Sequence, residues 1–233
     1  MNNVFHTSVV NLEKDKEKKQ NILDQFKPYN IDPEFIKATY GLDLSVKDYY
    51  KSSINNNPKF GNRHILTPSE VGCFLSHKEV LLSFLNQEDS NWLLVVEDDV
   101  KINKEKFKLF LELDNKELDV NSIYILGGQD GLKCENRFIL SPFLLESTPF
   151  KKVLFGSTRW IFRTCCYFIH KSLAKKIFKL LEVESFIIDD WRYIVKKSNA
   201  SSIYYFNCFE HPIDLSSSSI ESERLLLKTT LNK

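Results

Sequence analysis

The sequence predicts a layered α/β domain, and three observations carry the prediction. Short apolar runs of strand length alternate with amphipathic segments of helical length. Trp92–Val96 is apolar without interruption, as in a strand covered on both faces. Between such runs, Thr67-Pro68-Ser69-Glu70 opens a long helix. At roughly 150 residues per domain, 233 residues bound the chain to one large domain or two small ones. No repeat and no low-complexity linker divides it, so one domain over 1–233 is expected.

The elements follow in order. Val4 to Leu12 reads as a first strand, Asp15 to Phe26 as a charged helix and Phe35 to Ala38 as a short strand. The segment KSSINNNPKFGNR, residues 51–63, has Asn, Pro and Gly where turns want them and is expected to be a mobile loop crossing the surface. Thr67 can cap the next helix, Pro68 suits its first position and Glu70 completes a capping box; the helix should run to about Gln87. The strand Trp92–Val96 ends abruptly in Glu97-Asp98-Asp99, and Ser122–Leu126 repeats the form and ends in Gly127-Gly128. A strand-like segment from Trp160 to Ile169, helices at Ser172–Leu181 and Asp189–Lys197, a strand at Ile203–Phe206 and a terminal packing helix in ESERLLLKTTLNK complete the chain. Ligands of open α/β sheets sit beyond the carboxyl ends of strands, which directs attention to the EDD and GG ends.

Composition removes several function classes. A charged fraction of 27% beside 42% hydrophobic residues is neither disordered nor collagenous. A net charge of +1 supplies no field for a polyanion, so no nucleic-acid partner is expected. The five cysteines are odd in number, include the vicinal pair Cys165-Cys166 and show no C-x-x-C spacing, which indicates neither a disulfide framework nor a zinc site. No signal-peptide pattern is visible and no apolar run approaches the ~20 residues of a membrane span, so the expected location is cytoplasmic. Dinucleotide, P-loop and nucleophile-elbow motifs are missing; phosphate binding would fall to a metal and side chains.

Three adjacent carboxylates at the end of a buried strand repel one another unless a cation or hydrogen bonds compensate. Alternation lets Glu97 and Asp99 share a cation, with Asp98 pointing elsewhere, and oxygen ligands favour Mg²⁺ or Mn²⁺. The competing reading is a solvated acidic turn with Asp99 capping the next helix. Asp189-Asp190 either caps a helix or supplies a general base, with Trp191 as a platform for a sugar face. Glu70, Cys73 and His77 share a helix face, where Glu70 already has its capping role. His211 would make chemical sense as a third ligand beside Glu97 and Asp99.

Together these segments resemble glycosyltransferase family 25, the bacterial lipooligosaccharide galactosyltransferase family. The matching pieces are VVNLEKDKEKK at 9–19, ATYG at 38–41, LTPSEVGCFLSHKEVL at 66–81, LLVVEDDV at 93–100, YFIHKSLAKKI at 167–177, IDDW at 188–191 and HPIDLSSSSIES at 211–222. The resemblance implies a GT-A-like fold, a mixed central sheet flanked by helices, with a donor part over about 1–130 and an acceptor-side part over about 131–233. It implies a UDP-sugar donor, galactose first, and a glycan or glycolipid acceptor such as lipooligosaccharide, LPS or capsule. It also implies an inverting transfer helped by Mn²⁺ or Mg²⁺ on Glu97 and Asp99, with His211 beside them. Asn11, Thr39, Tyr40, Gly41, Glu70, Ser76, His77 and Asp98 would lie on the donor side. Gly128, Gln129 and Trp191 would face the acceptor, and Asp190, then Asp189, would be the base. A lipid-linked acceptor would bring peripheral contact with the inner membrane face. The readings from other classes are an inactive sugar- or metal-binding module and a two-carboxylate glycoside hydrolase.

Overall fold

The computed structural model describes residues 5–154, 156–213 and 218–231. Its strands are β1 (His6–Asn11), β2 (Glu34–Lys37), β3 (Trp92–Glu97), β4 (Lys101–Ile102), β5 (Ile123–Gly127), β6 (Ile139–Leu144), β7 (Lys151–Leu154), β8 (Cys166–His170) and β9 (Ile203–Glu210). They form one mixed sheet in the order β2-β1-β3-β8-β5-β9-β7-β6, with β4 paired to β9. The pairs β1/β2, β1/β3 and β5/β9 are parallel, and β8 runs antiparallel between β3 and β5.

The helices are α1 (Lys16–Phe26), α2 (Val46–Ser52), α3 (Pro68–Leu85), α4 (Lys104–Leu111), α5 (Lys171–Val183), α6 (Trp191–Ser198) and α7 (Ser219–Leu231). They cover both faces of the sheet, which is why its central strands are apolar at consecutive positions. Alternate residues divide between two cores. Val10, Leu93, Val95, Ile123, Ile125, Tyr167 and Ile169 pack with α3, α5 and α6. Val9, Leu94, Val96, Tyr124, Leu126 and Phe168 pack with α1 and α4, where Phe26, Phe107 and Phe110 supply much of the bulk. Burying one such side chain contributes about 1.5–3 kcal/mol.

The start of α3 follows its sequence signals. Thr67 Oγ1 accepts from the Glu70 N–H at 3.2 Å, and Glu70 Oε2 accepts from the Thr67 N–H at 2.9 Å. Elsewhere expectation and structure part. The extended run foreseen over Trp160–Ile169 begins only at Cys166: Trp160 closes a 3₁₀ turn, and Arg163, at φ 61°, turns the chain away from strand geometry. Residues 51–63 are pinned, contrary to the expected loose crossing of the surface. Ser53 and Asn55 are buried, Ile54 bridges Ile65, and the Asn56 N–H donates to the Ser185 carbonyl at 2.8 Å. The α6 helix starts at Trp191, with Asp190 as its cap and Asp189 before it. Val4 and the serines Ser216 and Ser217 fall outside the described residues.

Candidate active site

The end of β3 sends its three carboxylates in two directions. Asp98 turns toward β1 and α1, accepting from Asn11 Nδ2 at 2.7 Å and from Lys18 Nζ at 3.3 Å. Asn11 is thereby an anchor for the acidic segment. Glu97 points the other way, its Oε1 accepting from the Thr164 hydroxyl at 2.6 Å and facing His77 Nε2 at 3.3 Å. Asp99 lies 3.7 Å from His211 Nε2, which arrives from the end of β9.

Glu97, Asp99 and His211 each offer a ligand atom within 4.8 Å of the others. Burial pushes the Glu97 carboxyl up, but His77, by hydrogen bond and charge, and the Thr164 hydroxyl outweigh it and hold that carboxyl below its ordinary range. Asp99 is raised by burial and by the charge of Glu97, and its Oδ1 is buried without a hydrogen-bond partner. An orphaned carboxylate oxygen beside a second carboxylate and an imidazole is a donor set that fits a divalent cation of the Mn²⁺ or Mg²⁺ kind. Asp99 does not cap the next helix; Asn103 does, its Oδ1 accepting from the Lys106 N–H at 3.2 Å.

These residues line a cleft of about 690 Å³ that also takes in Tyr40, Asp189 and Arg224. A shallower recess of about 170 Å³ adjoins it, bordered by Thr39, Tyr40, Gly41, Ser76, His77 and Asp98. The recess exists because residues 39–41 lie directly on the first turns of α3. A Cβ on Gly41 would sit 1.9 Å from the Pro68 carbonyl oxygen, and one on Gly72 would sit 2.5 Å from that of Thr39. Ser76 clasps the same contact, accepting from the Thr39 N–H at 2.8 Å while donating to the Gly72 carbonyl. Its hydroxyl is a structural tie. Glu70 is also committed: beyond its capping bonds, its buried carboxylate meets Arg63 and accepts from Arg224 Nε at 2.8 Å.

Just before α6, the two adjacent aspartates have separate fates. Both oxygens of Asp190 are used, Oδ1 by the Tyr193 N–H at 3.1 Å as helix cap and Oδ2 by Asn57 Nδ2. Asp189 faces the cleft; its Oδ2 accepts from the Arg163 N–H at 3.1 Å, and its buried Oδ1 has no partner. Burial, opposed by the Arg224 charge, sets the Asp189 carboxyl above its ordinary value.

Trp191, expected as an exposed sugar platform, is 2% exposed, because the inward face of α6 carries it into the core against Tyr167. Its indole N–H donates to the Arg163 carbonyl at 2.9 Å. Gly128 and Gln129 serve the same segment: the Gly128 carbonyl accepts from Arg163 Nη1 at 2.8 Å, and Gln129 Oε1 accepts from the Phe162 N–H at 3.0 Å. All three brace the chain that holds Asp189.

Arg163 and Arg224 escaped sequence reasoning. A left-handed arginine has no motif, although a non-glycine residue at positive φ commonly marks a functional site once seen. Arg224 belongs to α7, which docks on α3 through Glu223; the Glu223 carboxylate accepts from the Ser69 N–H at 2.9 Å and from its hydroxyl at 2.7 Å. The Arg224–Glu70 pair, 154 positions apart, leaves no local signal.

A mixed sheet with helices on both faces and an acidic strand end opening into a cleft defines a fold of the GT-A-like class. The chain belongs to glycosyltransferase family 25, whose profile, described as "Glycosyltransferase family 25 (LPS biosynthesis protein)", matches residues 5–191. It is similar to a glycosyltransferase 25 family member of Anopheles gambiae, 33% identical over 101 residues, 41% of this chain and 17% of that one. It is also similar to procollagen galactosyltransferase 2 of Homo sapiens, 29% identical over 124 residues, 50% of this chain and 20% of that one. The matched stretches thus span a fifth or less of those relatives' length. Among solved structures, a glycosyltransferase involved in glycosylation of the major capsid of PBCV-1 aligns over 94% of this chain and 98% of its own, with TM-score 0.48 and 9% identity. His211 and Arg224 lie beyond the matched residues. Among the described residues, no helix is long and apolar enough to cross a membrane.

Proposed function

We propose that this protein transfers a hexose, galactose in the first instance, from a UDP-sugar to a hydroxyl of a surface glycan or glycolipid, with inversion at the anomeric carbon. One observation carries the reading: Asp189, whose Oδ1 has no hydrogen-bond partner, lines the same cleft as the Glu97–Asp99–His211 donor set. A base and a cation-binding set in one cleft are the two parts that displacement of a nucleoside diphosphate needs.

Glu97, Asp99 and His211 are the residues that would hold Mn²⁺ or Mg²⁺, which when bound neutralises charge on the departing diphosphate. His77 and Thr164 orient Glu97, and Asn11 with Lys18 keeps Asp98 out of the way. The recess bordered by Thr39, Tyr40 and Gly41 is the place for the nucleoside. Asp189 takes the proton of the acceptor hydroxyl at Oδ1 while Oδ2 stays on the Arg163 N–H, so the carboxylate need not turn as the oxygen attacks. Asp189 is preferred to Asp190, whose oxygens are both engaged in capping and in the Asn57 bond. A single displacement on a UDP-α-sugar gives a β-linked product. We place the reaction in the cytoplasm, at the inner membrane face when the acceptor is lipid-linked; the outer face of α7, with Leu225 and Leu226 exposed, would make that contact.

A thermal-shift panel tests the donor: UDP, UDP-galactose, UDP-glucose, UDP-N-acetylglucosamine, GDP-mannose and CMP-sialic acid, each with Mn²⁺ and with EDTA. A ligand at about 100 times its dissociation constant adds roughly 2.7 kcal/mol, a rise of about 5–11 °C for a chain of this size. A Mn²⁺-dependent rise confined to uridine nucleotides supports the reading, and no rise with any nucleotide overturns it. An α-linked product would remove the single displacement.

A further inference from the structure

Cys73 has no role in the chemistry above, yet it stands where the cleft and its recess meet. It precedes His77 by four positions on α3, so the two side chains rise on one helix face. Glu97 reaches the same point from the end of β3. The Cys73 Sγ, a His77 ring nitrogen and a Glu97 carboxylate oxygen all lie within 4.8 Å of one another. His77 Nδ1 is 3.2 Å from the Tyr167 hydroxyl, and its Nε2 faces Glu97 at 3.3 Å.

We propose that Cys73, His77 and Glu97 form a second cation site on the cleft wall, suited to a soft divalent cation of the zinc class. The donor set differs in kind from Glu97, Asp99 and His211: one thiolate, one imidazole and one carboxylate match zinc and cadmium, whereas Mg²⁺ and Mn²⁺ prefer oxygen. Three protein ligands with the fourth side open to a cleft form an accessible site, not a closed structural one. Zinc takes sulfur at about 2.3 Å and imidazole nitrogen at about 2.0–2.1 Å, a closure within reach of side-chain rotation from the observed spacing. Tyr167 supplies the partner on the far ring nitrogen that a metal-bound imidazole requires.

On binding, the Cys73 S–H bond breaks, a sulfur–metal bond forms and one proton passes to solvent, with no change of oxidation state. Glu97 belongs to both donor sets, so a zinc-class ion at Cys73 withdraws it from Asp99 and His211 and inhibits Mn²⁺-supported donor binding. This last consequence rests on the proposed transferase reading; the binding itself does not.

The test titrates the full chain with Cd²⁺, a spectroscopic substitute for zinc. The expected result is a thiolate-to-cadmium charge-transfer absorption that saturates at one ion per chain, is displaced by Zn²⁺ and persists in Mg²⁺. Cys73→Ser abolishes it, Cys134→Ser retains it, and His77→Gln weakens the apparent affinity at least about 10-fold. A missing absorption in the wild-type chain, or one that survives in Cys73→Ser, overturns the site. If Cys73→Ser does not fold by circular dichroism, proton release decides: about one proton per bound Cd²⁺ in the wild-type chain supports the site, and none overturns it. Should the absorption form while Mn²⁺-dependent UDP binding is untouched by Zn²⁺, the sharing of Glu97 is overturned. Should UDP fail to bind at all while the absorption forms, the transferase reading fails and the zinc site stands.

Discussion

The Asp189 carboxylate is held by one oxygen and free at the other: Oδ2 accepts from the Arg163 N–H at 3.1 Å, and Oδ1 is buried without a partner. One residue further on, Asp190 has both oxygens engaged. The two positions therefore separate by experiment. Asp189→Asn is expected to lower turnover by about 10²–10⁴-fold while leaving the nucleotide-induced thermal shift in place. Asp190→Ala is expected to cost about 0.5–2 kcal/mol as a lost helix cap, with turnover nearly kept. The opposite pattern in paired kinetics and melting would transfer the role to Asp190.

The pH dependence follows from the surroundings of Asp189. Burial raises its carboxyl above the ordinary aspartate value of about 3.9. A base works deprotonated, so turnover should fall with decreasing pH through the raised value, giving an acid limb above that of a free aspartate. Arg224 pulls the same carboxyl down. Arg224→Met should accordingly move the limb to higher pH in a kcat–pH profile, and a limb that stays or moves down removes Arg224 from the electrostatics of the site.

The acidic strand end makes a separate demand. Asp99→Asn removes charge where an oxygen lacks a partner, so Mn²⁺-dependent UDP binding and turnover should fall together, whereas Asp98→Asn should chiefly loosen the tie to Asn11 and Lys18. Removal of the cation by EDTA should reproduce the Asp99→Asn phenotype in calorimetric titrations with UDP. Unchanged UDP affinity in Asp99→Asn would take Asp99 out of the cation set.

The contact of residues 39–41 with α3 leaves no room for a methyl group. Gly72→Ala would place a Cβ 2.5 Å from the Thr39 carbonyl oxygen. The expected loss is about 1–3 kcal/mol in a denaturant titration, with weaker UDP binding as the recess is displaced. An unchanged midpoint would mean that the contact yields freely.

What the sequence disclosed was local. The capping box at Thr67–Glu70, the two-sided burial of Trp92–Val96 and the opposite directions of Asp98 and its neighbours all follow from residue spacing. The grouping of Glu97 and Asp99 with His211 rests on ligand chemistry in the sequence, and the carboxyl ends of β3 and β9 bring the three close in space. What stayed hidden depends on distant pairings. Trp191 reads as an amphipathic surface residue until α6 is seen to bury that face, and Glu70 reads as a donor ligand until Arg63 and Arg224 close on it. Spacing alone puts Cys73 and His77 on one helix face, but the approach of Glu97 to them from the end of β3 has no signal in the sequence.

The position of β9 also bears on how the chain is made. It lies between β5 and β7 and is the last of the described strands in chain order. Until Ile203–Glu210 leaves the ribosome, β5 keeps an unpaired edge, and the hairpin of β6 and β7 has nothing in the sheet to join. Before β9 emerges, the nascent chain therefore carries an open sheet edge, a state prone to wrong strand pairing and suited to chaperone capture. His211 directly follows that strand, so it reaches Glu97 and Asp99 only as the sheet closes.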